Sequence, residues 1–390
     1  MKKYFLCVLI ILMVASFAAA KETRKAGPGA VAAKELPQPP FTSLIVMEAA
    51  TGDILEEINP DLKHPLASVT KLMTALVVMD RLASGDVLLT DTVTTSAAAS
   101  RIGGSQVYLK HGESFTLEQM MKALLVASGN DAAYALAEHL SGTIEAFVAE
   151  MNQTARRLGM NDTEFHSVHG LPPSPDRGED TSTCRDLMRL SRELLKHPKL
   201  LEWTAIQTDT FRDGAFIMNS HNKLLGKLPG ADGLKTGYYR KAGFNVVATA
   251  QKDGVRLIVA VLGSPSAKTR DNVALEQFKK HMARYQMAAL ARQGQEFGDP
   301  IRLKDGKTPF LQAVAAADLN FPVLREKAEG IQNEIRLPGE LKGRVEQGQK
   351  LGEATFTLDG RTLGTADLVS PVAVERAGIF TRLLRRAGIK

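Results

Sequence analysis

The sequence predicts a mixed α/β protein of the α+β kind, in which helices cover an antiparallel sheet and a small all-β domain follows. Strand-like runs stand at both ends of residues 41–292, and helical periodicity occupies the residues between them. This order fits an antiparallel sheet better than a succession of βαβ units. Over 301–369, short alternating runs broken by Gly and Pro are typical of a β domain.

Each element of the first domain follows from a local pattern. Residues 43–47 and 52–56 predict two strands about an Ala-Thr-Gly turn. Runs at 244–250 and 255–262 are joined by Lys252-Asp253-Gly254, which is a hairpin signal. Helical periodicity predicts helices at 66–82, 117–140, 144–158, 184–196 and 272–292.

Length and composition exclude several classes of protein. The chain has 390 residues, 44% hydrophobic and 24% charged, which is ordinary for a globular protein of two or three domains. With 2 cysteines, Cys7 and Cys184, neither a disulfide scaffold nor a cysteine-based zinc module is expected. His166 and His169 lack a third ligand pattern, so we expect no metal.

Both termini carry signals of location. Residues 1–20 have the pattern of a signal peptide, with an uncleaved anchor helix as the alternative, and residues 21–40 predict a proline-containing linker. We therefore expect a chain exported to the periplasmic face of the cytoplasmic membrane.

Residues 370–390 predict an amphipathic helix with a basic face. The chain's formal net charge is +6, and outside the signal peptide the basic excess concentrates in this tail, which argues against a nucleic-acid surface on the main domain. We expect this helix to bind an anionic membrane surface, although packing on the β domain is the alternative. Its apolar arc comprises Ile379, Phe380, Leu383, Leu384 and Ala387.

A serine and a lysine three residues apart open the helix predicted at 66–82. Ser68 and Lys71 then share one helix face, and the helix N-terminus favours negative charge at the serine. Lysine can act as a base there only if its pKa falls by about 3 units from about 10.4. Without further signals, Ser68 is more simply a helix cap. Ser220 and Lys223 repeat the spacing, but no helix can carry that pair.

Two further segments complete an ordered set. Ser128-Gly129-Asn130 follows an apolar stretch, and Lys235-Thr236-Gly237 precedes the strand at 244–250. This S-x-x-K, S-x-N, K-T-G order is that of β-lactamases and penicillin-binding proteins, with glycine replacing aspartate in the second motif. Chemically, Asn130 can hold a substrate amide and Ser128 can pass a proton to a leaving amine. Lys235 and Thr236 can bind a carboxylate.

Over roughly residues 40–290 the chain resembles the D-alanyl-D-alanine carboxypeptidases, the low-molecular-mass penicillin-binding proteins. The resemblance implies a β-lactamase/DD-peptidase-like fold and a cofactor-free enzyme that removes the terminal D-alanine from peptidoglycan pentapeptide stems. Penicillin would acylate and inhibit it. The resemblance rests on residues 65–75, 103–105, 128–138, 158–165, 169–171, 232–237 and 242–245.

The resemblance also implies the role of each site residue. Ser68 would be the acylated nucleophile, Lys71 its general base and Ser128 the third catalytic residue. Backbone N–H groups of Ser68 and Tyr238 would form the oxyanion hole, and His169 would fix a loop. Arg270 would support the carboxylate site, with a surface arginine as the alternative. The implied substrate-binding residues are Asn130, Lys235, Thr236, Gly237, Tyr238 and Arg270.

Two features narrow the expected chemistry. Tyr238 stands where many family members have His or Phe, which bears on substrate trimming and deacylation. No Glu-x-x-Leu-Asn segment lies between the second and third motifs, so efficient β-lactam hydrolysis is not expected. A D,D-endopeptidase acting on peptidoglycan cross-links and a catalytically silent peptidoglycan- or penicillin-binding protein are the alternatives.

Overall fold

The structure, a computed structural model, describes residues 39–379. The predicted signal peptide lies outside the described residues, as do the linker up to residue 38 and the C-terminal helix from residue 380 onward. Within 39–379, no helix is both long enough and apolar enough to cross a membrane.

The main sheet of the first domain takes its strands from both ends of the domain, as the sequence predicts, and a helix follows the last of them. The domain's strands are β1 (Ser43–Glu48), β2 (Ile54–Ile58), β3 (His64–Pro65), β4 (Thr92–Thr94), β5 (Ser114–Thr116), β6 (Thr181–Ser182), β7 (Thr208–Phe211), β8 (Phe216–Asn219), β9 (Ala231–Tyr239), β10 (Gly243–Lys252) and β11 (Val255–Ser264). Its helices are α1 (Lys71–Ser84), α2 (Leu117–Leu125), α3 (Asn130–Ser141), α4 (Ile144–Arg157), α5 (Cys184–Leu194), α6 (Pro198–Thr204) and α7 (Ala267–Met282). Short 3-10 turns occupy Ala67–Thr70 and Ala99–Arg101.

The main sheet has the strand order β2-β1-β11-β10-β9, and every pairing in it is antiparallel. Side chains of β11 alternate between two cores. Ile258 and Ala260 pack into the core shared with α1 to α6, whereas Val259 and Val261 pack toward α7. The sheet is therefore the middle of three layers, and its edge strand β9 borders the N-terminus of α1.

The second domain is built from strands, apart from a 3-10 turn at Arg325–Gly330. The strands are β12 (Tyr285–Ala291), β13 (Glu296–Leu303), β14 (Phe310–Ala315), β15 (Leu319–Leu324), β16 (Gln332–Arg336), β17 (Glu340–Leu341), β18 (Lys350–Leu358) and β19 (Arg361–Val369). The main sheet of this domain has the order β16-β18-β19-β14-β13-β17, and β12 pairs with β15 beside it. Arg361 joins the two domains through an ion pair of 2.6 Å with Asp53.

The single helix predicted at 117–140 is wrong, because the structure breaks it into α2 and α3. Ser128 adopts a left-handed conformation with φ +59°, which no α-helix accommodates. The second motif thus lies on the connection between two helices. A similar adjustment occurs at 66–82, where a 3-10 turn carries Ser68 and α1 begins only at Lys71.

The predicted end of the first domain at residue 292 is also too late. Helix α7 ends at Met282, and residues 285–291 form a strand paired with β15 of the second domain. At the other end, Val374 pairs with Val345, so the β domain continues past residue 369. A helix beginning at residue 370 is therefore wrong for the described part of the tail.

Candidate active site

Ser68 lies on the tight turn that joins β3 to α1. The residue before it, Ala67, has φ +50°, an unfavourable conformation for a residue with a side chain. Two contacts hold this turn. Leu66 donates its N–H to the carbonyl of Asp180 at 3.0 Å, and Gly170 packs so closely that a Cβ there would lie 1.9 Å from the Ala67 carbonyl oxygen.

Lys71 lies directly beside the Ser68 hydroxyl. Its Nζ is 3.0 Å from Ser68 Oγ, 2.6 Å from Asn130 Oδ1 and 2.8 Å from the carbonyl oxygen of His169. The last two atoms can only accept hydrogen bonds. A neutral amine has two N–H groups, and these carbonyl oxygens occupy both. The nitrogen lone pair is then left for the serine proton.

The environment of Lys71 favours its neutral form. Its side chain is 0% exposed, and burial lowers its pKa well below the ordinary value. The nearby charge of Lys235 lowers the pKa further. A lysine base at this position requires a strongly lowered pKa. Burial contributes most to the lowering for Lys71, and the charge of Lys235 adds to it.

The second motif forms the opposite wall of the site. Asn130 begins α3, accepts from Lys71 through Oδ1 and donates from Nδ2 to the Gly103 carbonyl at 2.8 Å. Its backbone N–H donates to Ser105 at 2.7 Å, which fastens the segment 103–105 beside it. Ser128 is 1% exposed, yet its hydroxyl has no hydrogen-bond partner among the described residues. A buried hydroxyl without a partner can bind a ligand group at little cost.

The third motif lies on the edge strand β9. Lys235 is 3% exposed, and burial together with the charge of Arg270 lowers its pKa to about 7. Among residues 39–379, Lys235 donates a hydrogen bond to the Thr236 carbonyl oxygen at 3.2 Å, and no carboxylate there pairs with it. A substrate carboxylate would supply the missing counter-charge.

Gly237 brings β9 against the nucleophile turn. A Cβ at this position would lie 2.6 Å from the Leu66 carbonyl oxygen and 3.0 Å from the backbone nitrogen of Ser68. Only glycine allows this approach. The backbone of Gly237, which precedes Tyr238, therefore packs directly on the nucleophile turn.

Tyr238 and Arg270 differ in their surroundings. The Tyr238 side chain is 56% exposed and stacks on Phe244 with ring centroids 4.1 Å apart. Arg270 is 4% exposed and pairs with Asp271 at 2.7 Å, so it is not a surface arginine. It contacts the Asn245 carbonyl and affects the site through the pKa of Lys235, without touching Ser68 or Lys71.

His169 contributes through its backbone. Its carbonyl oxygen binds Lys71, while its ring accepts from the Leu171 N–H within the same loop. Burial lowers the pKa of this ring to about 3, so the imidazole is neutral. Asp180 fixes the loop by accepting from the His166 and Ser167 N–H groups and from Thr70 Oγ1. The sequence offered no signal for Asp180 beyond its place in a polar loop.

The second S-x-x-K pair and the histidine pair form no site. Lys223 Nζ contacts the Ser220 carbonyl rather than its hydroxyl, and both residues lie outside any helix. His166 contacts Glu164 at 3.2 Å. Within residues 39–379, no three His, Cys, Asp or Glu side chains are grouped to hold a metal ion.

A cavity of about 320 Å³ adjoins the second motif. Its walls come from the segment 104–108 and from β8 with the residues after it. His221 lies in this wall, and burial together with the charge of Lys235 lowers the pKa of its ring to about 4. A larger cavity, about 870 Å³, lies among the arginines of α5 and includes none of the site residues.

Two family models match the chain. Residues 31–266 match the D-alanyl-D-alanine carboxypeptidase family, and residues 285–376 match the C-terminal domain of penicillin-binding protein 5. The second match begins at the first residue of β12, in agreement with the domain boundary in the structure.

Curated relatives match over nearly the whole chain. The D-alanyl-D-alanine carboxypeptidase DacF of Bacillus subtilis is 32% identical over 352 residues, covering 89% of both chains. The D-alanyl-D-alanine carboxypeptidase DacC of Escherichia coli is 31% identical, covering 91% of this chain and 90% of the relative.

Solved structures agree with the fold. Penicillin-binding protein 5 from Haemophilus influenzae is 28% identical with a TM-score of 0.65, covering 87% of this chain and 99% of its own. Penicillin-binding protein D2 from Listeria monocytogenes, in its ampicillin-bound form, is 33% identical with a TM-score of 0.55, covering 61% and 96%. Motifs, fold and relatives lead to one conclusion: this chain belongs to the D-alanyl-D-alanine carboxypeptidase family of serine peptidases.

Proposed function

We propose that this protein hydrolyses the terminal D-Ala-D-Ala bond of peptidoglycan pentapeptide stems and is acylated by β-lactams. The observation that carries the proposal is the buried Lys71 amine, 3.0 Å from Ser68 Oγ, with its other contacts made by acceptors. A protein that only bound peptidoglycan would have no use for a desolvated base beside a serine.

Acylation begins with the serine. Ser68 Oγ attacks the carbonyl carbon of the penultimate D-alanine while its proton moves to Lys71 Nζ. The carbonyl oxygen becomes an oxyanion, and the backbone N–H groups of Ser68 and Tyr238 donate to it. Donors held in place before the reaction stabilise this charge without reorganisation, which is a large contribution in acyl transfer.

The tetrahedral intermediate collapses when the leaving amine gains a proton. Ser128 passes its hydroxyl proton to the amine of the departing D-alanine and regains one from protonated Lys71. The product is an ester between Ser68 and the shortened stem. Water then attacks this ester with Lys71 again as base, which releases the stem and restores the free serine. Penicillin acylates Ser68 by the same attack, which breaks the β-lactam C–N bond, but its leaving amine remains attached to the acyl part.

Substrate is held at both sides of the bond. Lys235 and Thr236 bind the terminal carboxylate, which restores the positive form of Lys235 because an adjacent anion raises a lysine pKa. Gly237 lets β9 approach the bound peptide, and the remaining N–H of Asn130 donates to the peptide backbone. Arg270 acts through Lys235, because the positive charge of its guanidinium lowers the pKa of that lysine.

We also propose export and peripheral membrane attachment, on the strength of the signal-peptide pattern and the basic amphipathic tail. The test is cosedimentation of residues 21–390 with vesicles containing phosphatidylglycerol, beside a chain ending at Ala377. Loss of binding on truncation supports the proposal. Equal binding by both chains, or by neither, contradicts it.

The catalytic proposal is tested by D-alanine release from diacetyl-Lys-D-Ala-D-Ala. Residues 21–390 should release D-alanine, Ser68→Ala should not, and the matched control Ser220→Ala should behave like the native chain. Cross-linked muropeptides provide a parallel substrate. Cleavage of the cross-link without release of D-alanine from the pentapeptide would show that the protein is an endopeptidase and not a carboxypeptidase.

A further inference from the structure

One buried amide, that of Asn245 near the start of β10, contacts the nucleophile turn. The residue is 0% exposed, and the three hydrogen bonds of its side chain are all made with backbone groups. Its Nδ2 donates to the carbonyl oxygens of Pro65 at 2.8 Å and Leu66 at 3.1 Å. Its Oδ1 accepts from the Gly263 N–H at 2.8 Å.

These partners determine the orientation of the amide. Carbonyl oxygens only accept and a backbone N–H only donates, so a flipped amide would lose all three bonds. The side chain therefore ties β10 and the end of β11 to the two residues that precede the strained Ala67. An unfavourable backbone conformation persists only where its surroundings hold it.

The backbone of Asn245 holds the other half of the site. In the sheet register Asn245 pairs with Gly237 of β9. Gly237 lies against Ser68, since a Cβ on it would be 3.0 Å from the Ser68 nitrogen. One residue thus binds the nucleophile turn through its side chain and the strand that carries Tyr238 through its backbone.

We infer that Asn245 is a positioning residue that sets the separation of the Ser68 and Tyr238 N–H groups, and so the width of the oxyanion hole. This inference rests on the roles proposed above for those two groups. Loss of the Asn245 amide should destabilise the transition state far more than the initial complex with substrate, because the two N–H donors bind the oxyanion and not the ground-state carbonyl.

The chain offers a closely matched control in Asn152. Its Nδ2 donates to the carbonyl oxygens of Val148 at 3.1 Å and Phe165 at 2.7 Å, and its Oδ1 accepts from the Phe165 N–H at 2.9 Å. Substitution by alanine removes the same set of bonds at both positions. Only Asn245 contacts the nucleophile turn.

The experiment measures penicillin acylation under pre-steady-state conditions for the native protein, Asn245→Ala and Asn152→Ala, with the melting temperature of each. We expect Asn245→Ala to slow the acylation step about 10- to 100-fold while the preceding binding constant changes by less than about 3-fold. The affinity of a peptide boronate, whose tetrahedral adduct places an oxygen in the oxyanion hole, should fall in parallel. Asn152→Ala should lose similar thermal stability with acylation nearly unchanged.

Asn245→Thr covers the case in which the alanine variant does not fold. Threonine fills more of the buried volume than alanine, but its single short hydroxyl cannot replace the donor to Pro65 and Leu66 together with the acceptor for Gly263, so the same selective loss is expected. If the Asn245 variants acylate at native rate, or lose no more than Asn152→Ala does, the positioning role is wrong while the proposed function stands. A native protein that is not acylated overturns both.

Discussion

The Nζ of Lys71 lies between Ser68 Oγ at 3.0 Å and the carbonyl oxygen of His169 at 2.8 Å, with Asn130 Oδ1 as its third partner. Two acceptors orient the amine, and its lone pair is left to accept the hydrogen of the Ser68 hydroxyl. The geometry therefore specifies which form of the lysine is active: the neutral one, which burial favours.

Removing this amine should abolish most of the acylation. Lys71→Ala is expected to lower the rate of penicillin acylation about 10²- to 10⁴-fold, the range for loss of a positioned general base. Stopped-flow measurement of the acylation step is the readout. Lys223→Ala is the control, since that lysine belongs to the second S-x-x-K pair and its amine donates to the Ser220 carbonyl oxygen. An equal effect at both positions would contradict the assignment.

Substrate affinity should weaken as the pH rises through about 7, because the pKa of Lys235 in the empty site is about 7. Below that pH the lysine is charged and attracts the terminal carboxylate. Above it the free enzyme is neutral at this position, and KM should increase by up to about tenfold per pH unit. A substrate ending in a carboxamide has no charge to recognise, so its KM should stay level. A rise for both substrates would place the titrating group elsewhere.

Ser128 should be dispensable for stability and needed for catalysis. Its hydroxyl is buried without a partner among the described residues, so Ser128→Ala should change the unfolding free energy by less than about 1 kcal/mol. Acylation should fall about 100-fold because the leaving group loses its proton donor.

Ser167→Ala provides the contrast to Ser128. Ser167 Oγ lies 2.5 Å from Asp180 Oδ2 and accepts from the Gly170 N–H at 2.9 Å. Its removal should destabilise the fold by about 1–3 kcal/mol. Chemical denaturation and acylation kinetics of both variants decide the matter. Similar stability losses would show that Ser128 is structural.

A methyl group at Gly237 should disable the site. The added Cβ would lie 2.6 Å from the Leu66 carbonyl oxygen, so β9 and the nucleophile turn must separate. We expect Gly237→Ala to lower acylation about 100-fold, as for displacement of an oxyanion donor. Gly339→Ala adds the same methyl group where nothing lies within 4 Å and should leave acylation unchanged. A native acylation rate in Gly237→Ala would show that the close packing of β9 on the nucleophile turn is not needed for acylation.

The residue types of the site could be predicted from the sequence because each of the three motifs spans only three or four residues. A separation of three residues places Ser68 and Lys71 on one face whether the turn is a 3-10 turn or an α-helical one. The order of the three motifs then narrows the chemistry. The hairpin at Asp253-Gly254 was confirmed for a similar reason, since both residues have positive φ and form the turn locally.

Features fixed by distant contacts could not be predicted. Residues 285–291, rich in Ala with Met and Leu, have helical propensity, but pairing with β15 makes them a strand. Helical periodicity runs through 117–140 because Ala and Leu suit both sides of the break, and only the backbone of Ser128 reveals it. Asn245 carried one local signal, because it is a polar residue directly before the apolar run Val246, Val247 and Ala248.

Mass spectrometry of the protein after brief exposure to penicillin shows directly whether Ser68 is the activated nucleophile. We expect one penicilloyl group per chain, located on the peptide that contains Ser68, and no adduct in Ser68→Ala. An adduct at another serine, or an unmodified native chain, would contradict this expectation.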